Sequence, residues 1–249
     1  MGIVGPSPVF LRGGLPGELS GMLTLQFTGS HIGLLGKGVI TAMNKKKRLL
    51  EVALMFALVA VVFAAQVRGE AGEELGRLAE LMGWKAGTVV ADIGAGDGKY
   101  AFAAVDHIGT AGKVYATEID RKKLGELRDE VARRKLGNVL VVESKEAETN
   151  LPAGCCDAVY LRRVYHHLTK PAEFDASLVR SLKAGGRLAI IDFAPRAGLE
   201  PVEGVPSNRG GHGIPEKIVI EELTAAGLKV EKVVEDWPEG SYCVLFQKR

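Results

Sequence analysis

The chain has 249 residues, 47% hydrophobic and 25% charged, a globular composition that excludes wholesale disorder and suffices for a core. The formal net charge of +2 is unevenly divided: residues 1–42 carry +1, residues 43–68 carry +4, and residues 69–249 carry −3. The body therefore lacks the basic balance that a nucleic-acid binder needs to displace counterions.

Residues 1–42 are glycine-rich, almost uncharged and without periodicity, and read as a non-native or disordered extension. Met43 opens a different pattern. Asn44-Lys45-Lys46-Lys47-Arg48 is basic, and Val52 to Ala65 is an unbroken apolar run of 14. Small residues follow, with candidate cleavage points after Ala64 or Ala65. This is the layout of a secretory signal peptide over 43–68. An uncleaved membrane anchor through 49–67 is the alternative, because about 20 apolar residues are needed to span a bilayer. Either reading places the body outside the cytoplasm or on a membrane; it stays cytoplasmic if the segment is not used. Translation is expected to start at Met43.

Residues 69–249 form the expected functional domain. Glu70 to Trp84 predicts a helix, with Leu75, Leu78, Ala79 and Met82 on one face. Strands and helices then alternate. Strands are predicted at Thr88–Ile93, Lys113–Ile119, Asn138–Glu143, Cys156–Leu161 and Gly186–Phe193. Helices are predicted at Lys99–Ile108, Arg121–Lys135, Pro171–Leu182 and Pro215–Ala226. Leu228–Val234 and Tyr242–Gln247 close the chain as antiparallel neighbours around a Pro/Gly turn at 235–240. Such alternation implies an α/β fold, a mostly parallel sheet covered on both faces.

Two of the three cysteines, Cys155 and Cys156, are adjacent. They provide no disulfide framework and no zinc spacing, and they read as a pair of small buried thiols. No metal site is expected.

The chemistry gathers after the first strand, at Asp92-Ile93-Gly94-Ala95-Gly96-Asp97-Gly98. Glycines there let a ligand approach the backbone at a helix N-terminus. The spacing is GxGxG, not the GxGxxG of dinucleotide binders. Asp92 suits a ligand with a cationic amine better than a pyrophosphate. Glu118, at the end of the second strand and 24 residues after Gly94, sits where a carboxylate accepts ribose hydroxyls.

The motifs VVADIGAGDGKYAF, VYATEID, EAETNLP, CDAVYLRRVYHHL and LVRSLKAGGRLAIIDF together resemble those of class I S-adenosylmethionine-dependent methyltransferases. The likeness covers about residues 72–249 and is loosely similar to the quinone-biosynthesis type. It implies a Rossmann-like, doubly wound, seven-stranded sheet with an antiparallel C-terminal strand. It also implies S-adenosylmethionine as cofactor and a small-molecule acceptor. Carried over, Gly94, Gly96 and Gly98 line the methionine and ribose side, and Asp92 orients the loop and amino group. Glu118 holds the ribose, Ile119 packs on adenine, and Glu146 and Ala147 sit at the adenine edge. Ser144-Lys145-Glu146 departs from the Gly-Asp more usual there.

His166 and His167 are the candidate general bases, with a structural role as the competing reading. Arg162, Arg196, Arg209 and His212 are candidate substrate residues, the last three on a long loop, 194–213, read as a lid. A nicotinamide-dependent oxidoreductase, or a binding protein on the same fold, are the alternatives.

Overall fold

The computed structural model describes residues 45–249, and the side chains of 50–56 and 71–249. The expected extension at 1–42 and the start at Met43 lie outside the described residues. The chain divides into two units, Met1–Ala53 and Leu54–Arg249. Of the first, only the helical residues 45–53 are described.

The first helix, α1, spans Lys45–Met82. The helix expected from Glu70 is thus the C-terminal part of a longer element. Among the described residues, no helix is long and apolar enough to cross a membrane. From Ala71 onward α1 buries the predicted face, with Leu75, Leu78 and Met82 in the core.

The body alternates as the sequence predicts: β1 (Val89–Ile93), α2 (Lys99–Ile108), β2 (Lys113–Glu118), α3 (Arg121–Arg134), β3 (Val139–Glu143), β4 (Cys156–Arg162), α4 (Pro171–Ser181), β5 (Leu182–Asp192), α5 (Glu216–Ala225), β6 (Leu228–Trp237) and β7 (Ser241–Lys248). Their sheet order is β3-β2-β1-β4-β5-β7-β6. The first five strands pair in parallel, and β7 lies antiparallel between β5 and β6. This is the Rossmann-like seven-stranded sheet that the resemblance implies.

Successive side chains on a strand face opposite ways, so each central strand feeds two cores. Tyr160, Ala189 and Ile191 pack with α1 and α2. Val159, Leu161, Leu188 and Ile190 pack with α4 and α5. Two further boundaries differ from expectation by three residues or more: β5 begins at Leu182 rather than Gly186, and β6 ends at Trp237 rather than Val234. β6 continues through Glu235–Trp237 with register shifts, so the closing turn shrinks to Pro238–Gly240. Trp237 explains this: it is buried in the core, and its Nε1 donates to Glu74 at 2.6 Å. The side chains of Cys155 and Cys156 lie against each other, with Cys156 buried. Cys243 is free, and burial pushes its thiol up to about 12.

Arg209, expected to meet substrate, is instead a buried fastener of the 194–213 loop, only 1% exposed. It donates twice to Glu222 on α5, at 2.9 and 3.0 Å, and to the carbonyls of Leu168 and Tyr165. Removing one partner of a buried pair leaves an uncompensated charge. Arg209→Ala is therefore expected to destabilise by about 3–5 kcal/mol in urea unfolding. A loss within experimental error of zero would contradict this role.

Candidate cofactor and substrate site

In the sheet order, β1 lies between β2 and β4, so the chain leaves β1 toward one side and later returns on the other. In open α/β sheets this reversal opens a crevice at the carboxyl ends of the strands. A cavity of about 530 Å³ lies there, a size typical of small-molecule sites. Its wall combines the glycine loop after β1, the end of β2, the segment after β3 and the loop after β4.

The glycine loop is tied to β2. The Ala95 amide donates to the Thr117 carbonyl at 2.8 Å, and the Gly96 amide to Glu118 Oε2 at 3.0 Å. Gly94, Gly96 and Gly98 all have positive φ, at 72°, 57° and 80°. The three differ in their surroundings. A Cβ on Gly94 would meet Val164 at 2.6 Å, and one on Gly98 would meet Leu127 and Phe102 at 2.5 Å. A Cβ on Gly96 would meet nothing within 4 Å. Gly94 and Gly96 line the cavity, whereas Gly98 faces the core and begins α2.

Glu118 is buried at the cavity wall. Its Oε1 accepts from the amides of Ile119 and Asp120 at 2.8 and 3.1 Å. With the Gly96 bond, three of about four acceptor positions are filled. One remains for a hydroxyl, and a second would compete with Gly96. Ile119 is 53% exposed on the same wall, an apolar side chain open to a flat ring.

Residues 91–190 match a protein family described as a methyltransferase domain. A ubiquinone/menaquinone biosynthesis C-methyltransferase of Pseudomonas putida is 31% identical, over 46% of this chain and 45% of that protein. One from Marinomonas sp. (strain MWYL1) is 29% identical, over 45% of each. The matched region spans about half the length of these curated relatives. A solved S-adenosylmethionine-dependent methyltransferase from Aquifex aeolicus superposes with a TM-score of 0.60 at 29% identity, covering 70% of this chain and 89% of that one. A geranyl diphosphate methyltransferase solved in complex with S-adenosylmethionine has the same fold, at a TM-score of 0.57 and 14% identity, over 72% and 85% of the two chains.

Residues 91–190 thus carry a methyltransferase domain, on the fold of a solved S-adenosylmethionine-dependent methyltransferase.

The residues of this crevice fit S-adenosylmethionine. The Gly96 opening, the spare acceptor position on Glu118 and the exposed face of Ile119 share one wall. Glu146 also lines the cavity, paired with Lys170 at 3.3 Å, while Ala147 does not. Asp92 lies beneath the loop rather than in the wall, 3% exposed, and its Oδ2 has no hydrogen-bond partner. Burial pushes its carboxyl up to about 7, with further repulsion from Asp97 and Glu118, against the opposing influence of Tyr160 and the Ala101 backbone.

Of the substrate and base candidates, Arg162 and His167 line the cavity. Arg162 is also bound from behind by Glu74. His166 is buried outside the wall, its Nδ1 at 2.8 Å from Asp192 Oδ1. Asp192 is fully buried and also accepts from the amides of His166 and Phe193. The His166 ring centroid lies 4.0 Å from that of His167, 4.9 Å from Phe193 and 5.5 Å from His212. Arg196 stacks on Phe193 at 4.5 Å. None of His212, Arg196 and Arg209 lines the cavity, and the His212 ring lies 6.2 Å from that of His167 in its wall.

Arg163, which the sequence offered beside Arg162 as a residue for an acidic substrate, also lines the wall; Lys123, Thr169 and Phe174 in the wall, and Asp192 behind it, were not singled out from the sequence. Asp192 was readable only as the acid that ends the fifth strand. Asp120 caps α3 through the amides of Lys122 and Lys123 and lines the cavity as well.

Asp92, and Asp175 beside Tyr165, both have carboxyls pushed up to about 7 by burial. The folded state then holds protons that the unfolded state has released between about pH 4 and 7. Stability from these groups is present below that window and lost as pH rises through 7. Urea unfolding is expected to show a fall in stability between about pH 4 and 7, of up to about 1.4 kcal/mol per pH unit for each group, and little change above it. Asp92→Asn should reduce that fall; an unchanged pH slope in the variant would contradict the assignment.

Proposed function

We propose that the protein transfers the methyl group of S-adenosylmethionine to a small-molecule acceptor whose attacking atom carries a proton. The carrying observation is the pairing of buried Asp192 and His166 directly behind His167 in the cavity wall. When bound, the cofactor supplies an electrophilic methyl group on a sulfonium. The chain's own task is to align the acceptor, exclude water and accept a proton.

Asp192 holds Nδ1 of His166 and so fixes the ring and its tautomer, as a carboxylate does behind a histidine. His166 in turn packs against His167. Burial lowers the His167 pKa, and the neighbouring His166 and His212 act in the same direction. A histidine kept neutral in this way is a base ready to accept the acceptor's proton. His166 and Asp192 are positioning residues in this scheme. The aromatic group of Phe193, His167 and His212 favours a flat acceptor. The curated relatives, named for C-methylation in quinone biosynthesis, support the same class.

Incubating the protein with methyl-labelled S-adenosylmethionine and a panel of phenols and quinols tests this reading. Label should appear in an acceptor, with S-adenosylhomocysteine formed in equal amount. His167→Gln should lower kcat by about 10²–10⁴-fold while leaving S-adenosylhomocysteine affinity within about twofold. The pH–rate profile of the parent protein should rise through an apparent pKa below about 6.5. An unaltered kcat in the variant would remove the base from the account.

We also propose that residues 43–68 direct the body out of the cytoplasm or hold it on a membrane. The basic run Lys45–Arg48 supports this, as do Leu54, Met55 and Phe56, each at least 60% exposed on α1. Cell fractionation with N-terminal sequencing should find the protein in the membrane or exported fraction; recovery from the cytoplasm with an intact N-terminus would refute it.

A further inference from the structure

Arg162 and Arg163 follow one another at the end of β4, and both line the cavity. Two carboxylates answer them, and the two differ in kind. Glu74 on α1 is 6% exposed. It accepts from Arg162 Nε at 3.0 Å, the Tyr100 hydroxyl at 2.7 Å and Trp237 Nε1 at 2.6 Å. It is fixed from three sides and neutralises Arg162.

Glu239 sits on the turn Pro238–Gly240, and its side chain is 54% exposed. Its carboxylate meets Arg163 at 2.6 Å and the outer nitrogen of Arg162 at 3.1 Å. Its carbonyl accepts from Arg163 at 3.3 Å and Arg196 at 3.2 Å. Nothing else holds the carboxylate among the described hydrogen bonds.

Two further observations bear on this contact. Arg163 and Glu239 both have positive φ, 56° and 59°, without being glycine. Such backbone has a cost that the surroundings must meet, and it gathers at ligand clamps and switches. The buried Nε of Arg163 also has no hydrogen-bond partner. Counting charge, Arg162, Arg163 and Arg196 converge on only Glu74 and Glu239, which leaves an excess of one positive charge beside the cavity.

We propose that Arg163, backed by Arg162, is a binding site for the carboxylate of a ligand in the cavity, and that Glu239 is an internal carboxylate held on these arginines until the ligand's replaces it. The exchange needs no new buried charge. Glu239 lies on the solvent side of the arginines and returns to water, while the guanidinium groups keep a charge-assisted partner throughout. Two ligands offer that chemistry under the proposed function: the methionine end of the cofactor and an acidic methyl acceptor. This inference rests on that reading only for the ligand's identity.

Benzoate is the probe, titrated calorimetrically into the full chain with benzamide as the uncharged control. Glu239→Gln should bind benzoate at least about tenfold more tightly than the parent, since one charged hydrogen-bond competitor is worth roughly 1.5 kcal/mol or more. Adding Arg163→Gln to that variant should abolish binding, and benzamide should bind to none. Glu239→Asn, which tolerates positive φ, serves if the Gln variant does not fold by circular dichroism. Repeating the titration with saturating S-adenosylhomocysteine separates the ligands. Retained benzoate assigns the site to the acceptor, and excluded benzoate assigns it to the methionine carboxylate.

Equal benzoate affinity in the parent and Glu239→Gln overturns the proposal. So does binding that survives the double change, or no benzoate binding to the Gln variant at all; Glu239 would then merely staple the turn to β4. S-adenosylhomocysteine binding is read independently. Its absence alongside benzoate binding would count against the methyltransferase reading and not against the anion site.

Discussion

The site depends on the reversal of strand order between β1 and β4. Because the chain departs from β1 to β2 on one side and returns as β4 on the other, the loops at their carboxyl ends diverge. The crevice between them cannot be filled by either loop alone. Each loop then brings its own chemistry to the opening. The loop after β1 brings glycine backbone, and the loop after β4 brings Arg162, Arg163 and His167. β2 supplies Glu118 from the far side of β1.

Buried carboxylates around this crevice are answered in different ways, and the differences match their roles. Glu118 is held by three backbone amides, which fix it as an acceptor for a neutral hydroxyl. Glu74 is held by three side chains and joins α1, α2, β4 and β6 in one junction. Asp192 is held by two amides and an imidazole. Asp92 retains an oxygen without a partner, as Asp175 beside Tyr165 does, and burial pushes both carboxyls up to about 7.

Much of this was legible in the sequence, for a physical reason. Strand and helix periods, the glycines at 94, 96 and 98, and the acids at 92 and 118 are local signals. Each is set by neighbours along the chain or by the demands of a turn. The order of elements followed, and with it the end of the sheet where the site lies. The unread parts are pairings between distant segments. Glu74 meets Arg162 across 88 residues, and His166 meets Asp192 across 26. Nothing local distinguishes Arg209, pinned by Glu222, from the exposed arginine the sequence suggested. The true length of β6 depended on Trp237 reaching Glu74, a contact invisible without α1 in place. Gly98 looked like its two neighbours, but its missing Cβ makes room for Leu127 and Phe102 rather than for a ligand.

The central claim is that the crevice between β1 and β4 receives an adenosyl group through Glu118. The most direct measurement is a calorimetric titration of the full chain with S-adenosylhomocysteine and, separately, with NAD, repeated on Glu118→Ala. The account predicts one-to-one binding of S-adenosylhomocysteine, no binding of NAD, and affinity lowered by about tenfold or more in the variant. NAD binding, or S-adenosylhomocysteine affinity indifferent to Glu118, would contradict it.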